Sequence, residues 1–198
     1  MEQNRHAKVG CVLMAAGNAS RFNANKLLMD YAGKPLIRHA MESAAAECID
    51  AVTVVTQYDV IEQMAGDMGF ACVRNDHPEW GASYTVRLGT AALQDCDAIL
   101  YMVSDQPRLT RASVRKIVDA WREAPTYIIA PASGERMGNP CVFPKAMFPE
   151  LMALEGDVGG KKVIRRHPEL LRTVQIEEAE LFDCDTAQAL EELKRAGK

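Results

Sequence analysis

The chain has 198 residues, of which 48% are hydrophobic and 25% charged, and its formal net charge is −4 at pH 7. These values predict one packed globular domain over residues 1–198 and exclude a disordered chain. The chain has no apolar run near the roughly 20 residues of a membrane span, no signal-peptide core and no basic footprint, so we expect a cytoplasmic protein that binds neither membrane nor nucleic acid.

The first half of the chain alternates strand-like and helix-like segments. Apolar, β-branched runs predict strands at residues 9–14, 51–56, 70–74, 98–103 and 127–130. Apolar residues at helical spacing predict helices at residues 35–48, 60–68 and 83–93. Strands that alternate with helices predict an α/β fold with a mostly parallel, doubly wound sheet, in which ligands bind beyond the carboxyl ends of the strands.

The pattern changes after residue 130. A Gly/Pro-rich stretch at 131–144 is followed by predicted helices at 145–154 and 158–167 and a short strand at 171–176. A final helix is predicted at 187–195, where Thr186 is a suitable N-cap. With no repeat or linker in the sequence, we expect this half to complete the same domain.

Cysteine and histidine spacing argues against a metal site built from these residues. The six cysteines are scattered and none forms a CxxC pair, which favours buried, reduced thiols; Cys141, after the turn Gly138-Asn139-Pro140, is the one whose environment merits inspection. The four histidines show no ligand spacing, and no Ser-His-Asp triad is legible.

A turn of small residues, 15–22, follows the first predicted strand. Gly17 alone is more typical of an ordinary strand-to-helix junction than of a binding site, but Arg21 and Lys26 follow it in loop positions. The turn matches neither a dinucleotide fingerprint nor a P-loop. Backbone N–H groups of such a turn can cradle an anion while Arg and Lys neutralise phosphate charge, so we expect a triphosphate to bind here.

Candidate metal ligands are carboxylates that follow strands. Asp105, directly after the strand at 98–103, can either cap a turn before Pro107 or bind Mg²⁺, which prefers one or two carboxylates together with substrate phosphate oxygens. Asp185 can supply a second carboxylate or cap the last helix, and Asp183 is a weaker candidate on the same extended segment.

Three further loops can shape a pocket. The segment 78–83 leads into a helix whose first N–H groups and Ser83 hydroxyl can read a base, or it can be a plain N-cap with Trp80 packed as a hydrophobic staple. Residues 134–139 resemble a hairpin tip, and residues 155–161 resemble a loop and helix start that can receive a substrate. Both are also explained by ordinary turn chemistry.

Taken together, several motifs resemble a known family. The start of the chain reads Val12-Leu13-Met14-Ala15-Ala16-Gly17-Asn18-Ala19-Ser20-Arg21-Phe22, followed by Lys26-Leu27-Leu28 and Gly33-Lys34-Pro35-Leu36. This resembles the sugar-nucleotidyltransferase-like superfamily. Later blocks look most like its molybdenum cofactor cytidylyltransferase branch: Pro78-Glu79-Trp80-Gly81-Ala82-Ser83, Asp105-Gln106-Pro107, Gly138-Asn139-Pro140, Gly156-Asp157-Val158-Gly159 and Asp183-Cys184-Asp185-Thr186.

The resemblance implies a Rossmann-like sheet of the nucleotide-diphospho-sugar transferase type and a Mg²⁺-dependent reaction. In it, CTP and a molybdopterin-type cofactor give the cytidine dinucleotide cofactor and pyrophosphate. Guanylyl transfer, a sugar or polyol phosphate acceptor, and a non-catalytic cofactor chaperone for a molybdenum hydroxylase client are the alternatives.

The same resemblance assigns roles to individual residues. The expected catalytic residues are Arg21, Lys26 and Asp105. The expected nucleotide-binding residues are Leu13, Ala15, Ala16, Gly17, Ser20, Arg21, Lys26, Gly81, Ser83 and Asp105. The expected acceptor-binding residues are Gly138, Asn139, Pro140, Gly156, Asp157 and Lys161. The expected metal ligands are Asp105 and Asp185.

Overall fold

The structure, a computed structural model, describes residues 7–17 and 25–196. The strands in these ranges are β1 (Val9–Ala15), β2 (Asp30–Tyr31), β3 (Lys34–Pro35), β4 (Ala51–Thr56), β5 (Ala71–Arg74), β6 (Ala98–Val103), β7 (Ile128–Ser133), β8 (Arg136–Met137), β9 (Cys141–Pro144) and β10 (Leu171–Gln175). The α-helices are α1 (Leu36–Ala44), α2 (Asp59–Asp67), α3 (Ala82–Ala92), α4 (Arg111–Glu123), α5 (Phe148–Met152), α6 (Lys161–Arg166) and α7 (Ala187–Ala196). None of these helices is long and apolar enough to cross a bilayer.

One eight-stranded sheet carries the fold, in the order β10-β7-β9-β6-β1-β4-β5 with β8 paired to β7. The pairs β1 with β4, β1 with β6, β4 with β5 and β10 with β7 are parallel. Strand β9 is antiparallel to both of its neighbours. The predicted α/β fold with a mostly parallel sheet is therefore confirmed, and the carboxyl ends of β1, β4 and β6 lie side by side.

Two elements that the sequence patterns did not single out belong to this sheet and its cover. Helix α4 buries an apolar stripe of Val114, Ile117, Val118 and Trp121, and the Thr110 hydroxyl caps it by accepting a hydrogen bond from Ser113 N. Strand β9 lies inside the stretch at 131–144, where its four buried residues pair with β6 and β7. The predicted hairpin tip is confirmed, because β7 and β8 pair across a turn at Gly134.

The predicted boundaries differ from the observed ones mainly at helix ends. Helix α1 ends at Ala44, four residues before the predicted end, and α6 begins only at Lys161. The predicted helix at 145–154 is a 3₁₀ turn, Lys145–Met147, followed by the short α5. Other 3₁₀ turns are Lys26–Leu28, Pro78–Trp80, Pro168–Leu170 and Glu178–Leu181.

Helices cover both faces of the sheet, and strand β1 shows how. Its residues Cys11 and Leu13 belong to the apolar cluster that includes α1 and α4, whereas Val12 belongs to the cluster on the opposite face with α3 and α5. Successive side chains of a strand point to opposite faces, so a strand buried on both sides is apolar throughout. This burial fixes where β1 ends and the loop after it begins.

Helix α3 packs closely on β1 through Gly89. A Cβ at this position would lie 2.5 Å from Val12 Cγ1, well inside contact distance. We expect Gly89→Ala to lower the free energy of unfolding by about 1–3 kcal/mol through overpacking, although alanine favours helix more than glycine does. Urea denaturation measures the change.

The matched control is Gly66→Ala in α2, where an added Cβ would meet nothing within 4 Å. This variant is expected to gain up to about 1 kcal/mol, because only the helix preference of alanine acts there. Equal changes in the two variants would contradict close packing of α3 on β1.

All six cysteines lie in the described ranges and carry free thiols, five of them buried and Cys72 half-buried. Burial raises the pKa of Cys141 to about 12 and also raises the pKa of Cys11. The prediction of reduced, buried thiols is confirmed.

Thiol labelling of the native protein follows from this burial. Because the thiolate is the reactive form, Ellman's reagent at neutral pH is expected to label only Cys72 quickly. Cys72→Ser should remove that fast phase, and unfolding in guanidinium should release all the remaining thiols. Several thiols that react in the native protein as fast as in the unfolded chain would show that the core is open.

Candidate active site

The backbone at the end of β1 is held in place by side chains from the neighbouring strand ends. Four consecutive carbonyls each accept one hydrogen bond: Met14 O from Ser104 Oγ (2.7 Å), Ala15 O from Thr56 Oγ1 (3.0 Å), Ala16 O from Gln57 Nε2 (2.8 Å) and Gly17 O from Tyr58 Oη (3.1 Å). The start of the loop is therefore rigidly positioned before residue 18. Ser20 and Arg21, which belong to the predicted site, lie outside the described residues.

The described chain resumes at Asn25, which positions Lys26. Asn25 Oδ1 accepts a hydrogen bond from Leu27 N at 3.0 Å and so caps the 3₁₀ turn that begins at Lys26. Asn25 Nδ2 is buried and has no hydrogen-bond partner within the described ranges. A buried donor without an acceptor is costly, so it is suited to receive a ligand oxygen.

The ammonium of Lys26 lies between two carboxylates. Its Nζ is 2.6 Å from Asp105 Oδ2 and 3.3 Å from Asp185 Oδ1. Burial alone would lower the pKa of Lys26, but the charges and hydrogen bonds of Asp105 and then Asp185 raise it above its usual value. The sequence separates Lys26 from Asp185 by 159 positions, and the fold joins them.

The segment around Asp185 is attached directly to the end of β6. Cys184 N donates to Asp105 O at 2.8 Å, and Gln106 Nε2 donates to Asp183 Oδ1 at 2.9 Å. Burial and the charge of Asp105 raise the pKa of Asp183. Three carboxylates thus share this end of the sheet with one ammonium.

The last helix is capped by Thr186. Its hydroxyl accepts a hydrogen bond from Ala189 N at 3.0 Å, which confirms the predicted N-cap. The carboxylate of Asp185 accepts a hydrogen bond from Lys26 Nζ, and the cap of α7 is provided by Thr186.

A cavity of about 240 Å³ opens beside this cluster. Its wall contains Ala16, Gly17, Asn25, Lys26 and Asp105, together with Ala82 and Thr85 from the start of α3. Thr85 Oγ1 accepts a hydrogen bond at 3.0 Å from Asn75 Nδ2, which follows β5. The lining of the cavity therefore combines an ammonium, an amide and a carboxylate with the hydroxyl of Thr85.

A second cavity, of about 260 Å³, adjoins the first, and both are lined by Met14, Ala82 and Val103. Its wall is mainly apolar, with the rings of Tyr101 and Phe143. The polar side chains in its lining that can meet a charged or amide group are Asn139 and Lys161. Cys141 also lines it, but its thiol donates to Gly138 O at 3.3 Å and lies deep in the wall.

The loop before α6 closes onto the start of α3. Asp157 Oδ1 accepts a hydrogen bond from Ala82 N at 3.1 Å, and Gly156 O accepts one from Ser83 N at 3.4 Å. Gly81 has a φ of 83°, and a Cβ there would lie 2.6 Å from Asp157 Cα. These contacts require glycine at position 81 and hold the start of α3, where Ala82 lines both cavities.

The predicted residues divide into those that face the cavities and those that support the walls. Ala16, Gly17, Lys26 and Asp105 line the first cavity, and Asn139 and Lys161 line the second. Supporting positions are taken by Leu13 (core of β1), Ala15 (carbonyl bonded to Thr56), Gly81, Gly156 and Asp157 (inter-loop contacts), Gly138 (packed on Leu181) and Pro140 (after a cis peptide bond with Asn139).

The structure revises one expectation about the segment 78–83, the packing of Trp80, and leaves the role of Ser83 in reading the base a prediction. Trp80 is 48% exposed and stacks on the His77 ring at 4.0 Å, so it does not pack as a staple. Ser83 is buried, and its hydroxyl has no hydrogen-bond partner in the described part of the chain. Thr85, which the sequence patterns did not single out, is instead the α3 hydroxyl in the cavity wall, because positions two apart on a helix are about 200° apart around its axis.

Comparison with known proteins gives a consistent family. The sequence profile of the MobA-like NTP transferase domain matches residues 11–171. A 3-deoxy-manno-octulosonate cytidylyltransferase of Coxiella burnetii (strain Dugway 5J108-111) is 30% identical over 109 residues, covering 50% of this chain and 43% of that protein. The chain spans between about a quarter and just under half of the length of the first curated relatives that it matches.

Solved structures support the fold. Rv0371c from Mycobacterium tuberculosis H37Rv superposes with a TM-score of 0.81 at 22% identity, over 96% of this chain and 98% of that one. A CMP:2-keto-3-deoxy-manno-octonic acid synthetase complexed with CTP superposes with a TM-score of 0.78 at 14% identity, over 96% and 98% of the two chains.

Proposed function

This chain belongs to the family of MobA-like NTP transferase domains, and from that premise we propose that it transfers a cytidylyl group from CTP to a molybdopterin-type cofactor. The observation that carries the proposal is the cluster of Lys26, Asp105 and Asp185 beside the first cavity, at the carboxyl ends of parallel strands. Ligands of doubly wound sheets bind at these strand ends. We assign the first cavity to the triphosphate and the second to the acceptor.

The proposed reaction is an in-line displacement at phosphorus. An oxygen of the acceptor's terminal phosphate forms a bond to the α-phosphorus of CTP, and the bond from that phosphorus to the oxygen bridging the α- and β-phosphates breaks. Pyrophosphate leaves with that electron pair. Positioning and charge neutralisation carry such reactions, and Lys26 and the predicted Arg21 supply positive charge for the leaving group.

The donor set at Asp105 and Asp185 fits Mg²⁺. The two carboxylates already hold one positive charge between them, the ammonium of Lys26, and they therefore suit a cation. Mg²⁺ needs only one or two carboxylates from the protein, because it takes its other ligands from water and phosphate. When bound, Mg²⁺ would neutralise triphosphate charge, with Asp105 and Asp185 as its protein ligands.

The polar groups of the first cavity support a nucleoside triphosphate as its ligand. Asn25 Nδ2 is a buried donor without a partner, suited to a phosphate or ribose oxygen. The hydroxyl of Thr85, which also lines this cavity, is suited to the base edge. The similarity to a cytidylyltransferase favours CTP.

The second cavity supports an acceptor with a flat, mainly apolar body and an anionic group. Its walls include the rings of Tyr101 and Phe143, whereas a sugar acceptor would need several polar partners. Lys161 can meet a phosphate and Asn139 can meet a ring nitrogen or carbonyl. A pterin with a terminal phosphate has this chemistry, and a molybdenum hydroxylase would be the client of the product.

Pyrophosphate release tests the proposal. We expect release from CTP in the presence of purified molybdopterin cofactor and Mg²⁺, with much slower release from GTP, ATP and UTP. Faster pyrophosphate release from GTP would favour guanylyl transfer. Release only in the presence of a sugar or polyol phosphate would show that the acceptor is not the molybdopterin-type cofactor. Tight cofactor binding without pyrophosphate release from any triphosphate would favour the non-catalytic chaperone and would overturn the proposal of an enzyme.

A further inference from the structure

A hydrogen-bond relay leads from the buried side chain of Asn75 to Thr85 in the wall of the first cavity. Asn75 follows β5, is 1% exposed, and donates its backbone N–H to Thr56 O at 2.8 Å. Its side-chain amide has a protein partner on each side. Oδ1 accepts from His77 N at 3.0 Å, and Nδ2 donates to Thr85 Oγ1 at 3.0 Å.

The backbone N–H of His77 fixes the orientation of the Asn75 amide. A backbone N–H can only donate, so the amide atom facing it must be the oxygen. The atom facing Thr85 is then the NH₂ group, which can only donate as well. Thr85 Oγ1 is therefore an acceptor in this contact, and its own proton must point elsewhere.

The Thr85 proton has no acceptor among the described residues. A helical threonine can donate to the carbonyl four positions earlier, as Thr90 does on the same helix, to Val86 O at 2.7 Å. Thr85 makes no such bond in the described structure, although it is only 5% exposed and lies in the wall of the first cavity. Its hydroxyl is thus a nearly buried donor available to a ligand.

We propose that Asn75 is a positioning residue that keeps the Thr85 proton free to be donated to the nucleobase. The inference rests on the proposed function. It adds which partner donates and which accepts in the hydrogen bond between Thr85 and the base. The base atom that meets Thr85 is an acceptor, such as O2 or N3 of cytosine. A base that presents an N–H group there can use only the remaining lone pair of Thr85, so the nearly buried hydroxyl proton stays without an acceptor and that base binds more weakly.

Asn75→Asp reverses this polarity in a nearly identical shape. One carboxylate oxygen still accepts from His77 N, and the other now accepts the Thr85 proton, so the lone pairs of Thr85 turn to the cavity. We expect about tenfold weaker CTP binding, because the base acceptor then loses its donor. In turnover the loss is expected in KM for CTP with kcat nearly unchanged, the signature of a contact made equally in ground and transition states.

The decisive experiment is a double-mutant cycle in which CTP binding is measured by isothermal titration calorimetry. The four proteins are wild type, Asn75→Asp, Thr85→Val and the double variant. We expect Asn75→Asp to weaken binding about tenfold alone but less than twofold in the Thr85→Val background, where no hydroxyl remains to orient. Thr85→Ser should restore both the wild-type affinity and the sensitivity to Asn75→Asp.

Two controls keep the result unambiguous. Asn75→Ala removes the donor without adding charge, and it repeats the cycle if the aspartate variant folds poorly. Thr173→Val makes the same side-chain change at an exposed position of β10 and should leave CTP binding unaltered.

Multiplicative effects of the Asn75 and Thr85 substitutions, with normal CTP binding by wild type, would overturn the relay and leave the proposed function standing. Failure of wild type to bind any nucleoside triphosphate would overturn both the relay and the proposed function.

Discussion

Asp105→Asn is expected to reduce nucleotidyl transfer by about a thousandfold while the protein stays folded. Asp105 is the carboxylate closest to the Lys26 ammonium, at 2.6 Å, and it lies in the wall of the first cavity. An amide binds Mg²⁺ far more weakly than a carboxylate does, because it carries no charge. The backbone bond from Cys184 N to Asp105 O does not depend on the side chain, so the local fold should survive.

The measurement compares turnover and thermal unfolding in the same preparations. Asp119→Asn on α4 is the matched control, because it removes a carboxylate paired with Arg122 on the exposed face. It should retain wild-type turnover. Turnover of Asp105→Asn within a few fold of wild type would exclude Asp105 as a ligand or charge partner in the reaction.

Lys26→Met is expected to change two properties in opposite directions. Transfer should fall by about a hundredfold or more, because the leaving pyrophosphate loses a positive partner. Binding of Mn²⁺ to the free protein, without nucleotide, should become at least about tenfold tighter. The ammonium now occupies the space between Asp105 and Asp185, and methionine leaves both carboxylates to the metal.

Electron paramagnetic resonance of free Mn²⁺ measures this affinity without any turnover. Lys162→Met on α6 is the control, because Lys162 is exposed and makes no ion pair within the described residues. It should change neither property. Equal Mn²⁺ binding by Lys26→Met and wild type would show that the lysine does not compete with a cation for these carboxylates.

Much of the fold could be predicted because its central strands are buried on both faces. Strands β1 and β6 read as continuous apolar runs, and the segments between strands carry helical spacing. Strand β9 was missed because it has only four residues, follows Pro140 and ends on Pro144, in a stretch rich in turn residues. Helix α4 was not singled out, although Val114, Ile117, Val118 and Trp121 follow helical spacing.

The site was predictable in its chemistry and less so in its contacts. Asp105 follows a buried strand and Lys26 follows a glycine turn, so local sequence indicates both. Their contact with Asp185 depends on how the last segment crosses the sheet, because Cys184 N bonds to Asp105 O, and no local pattern encodes that bond.

The choice between the Ser83 and Thr85 hydroxyls depends on the exact start of α3. A helix that begins at Ala82 turns Thr85 to the cavity and Ser83 into the protein. Sequence patterns locate helix ends only within a few residues, so they could not decide which hydroxyl lines the first cavity. The sequence could not indicate a role for Asn75 either, because that role depends on its hydrogen bond to Thr85.

The central claim is transfer of a cytidylyl group with attack at the α-phosphorus, and the fate of a radioactive label tests it most directly. With CTP labelled at the α-phosphate, purified molybdopterin cofactor and Mg²⁺, we predict that the label moves to the cofactor. With CTP labelled at the γ-phosphate, the label should appear in pyrophosphate in equal amount. Release of the γ-label as inorganic phosphate, or no transfer of the α-label to the cofactor, would contradict the account.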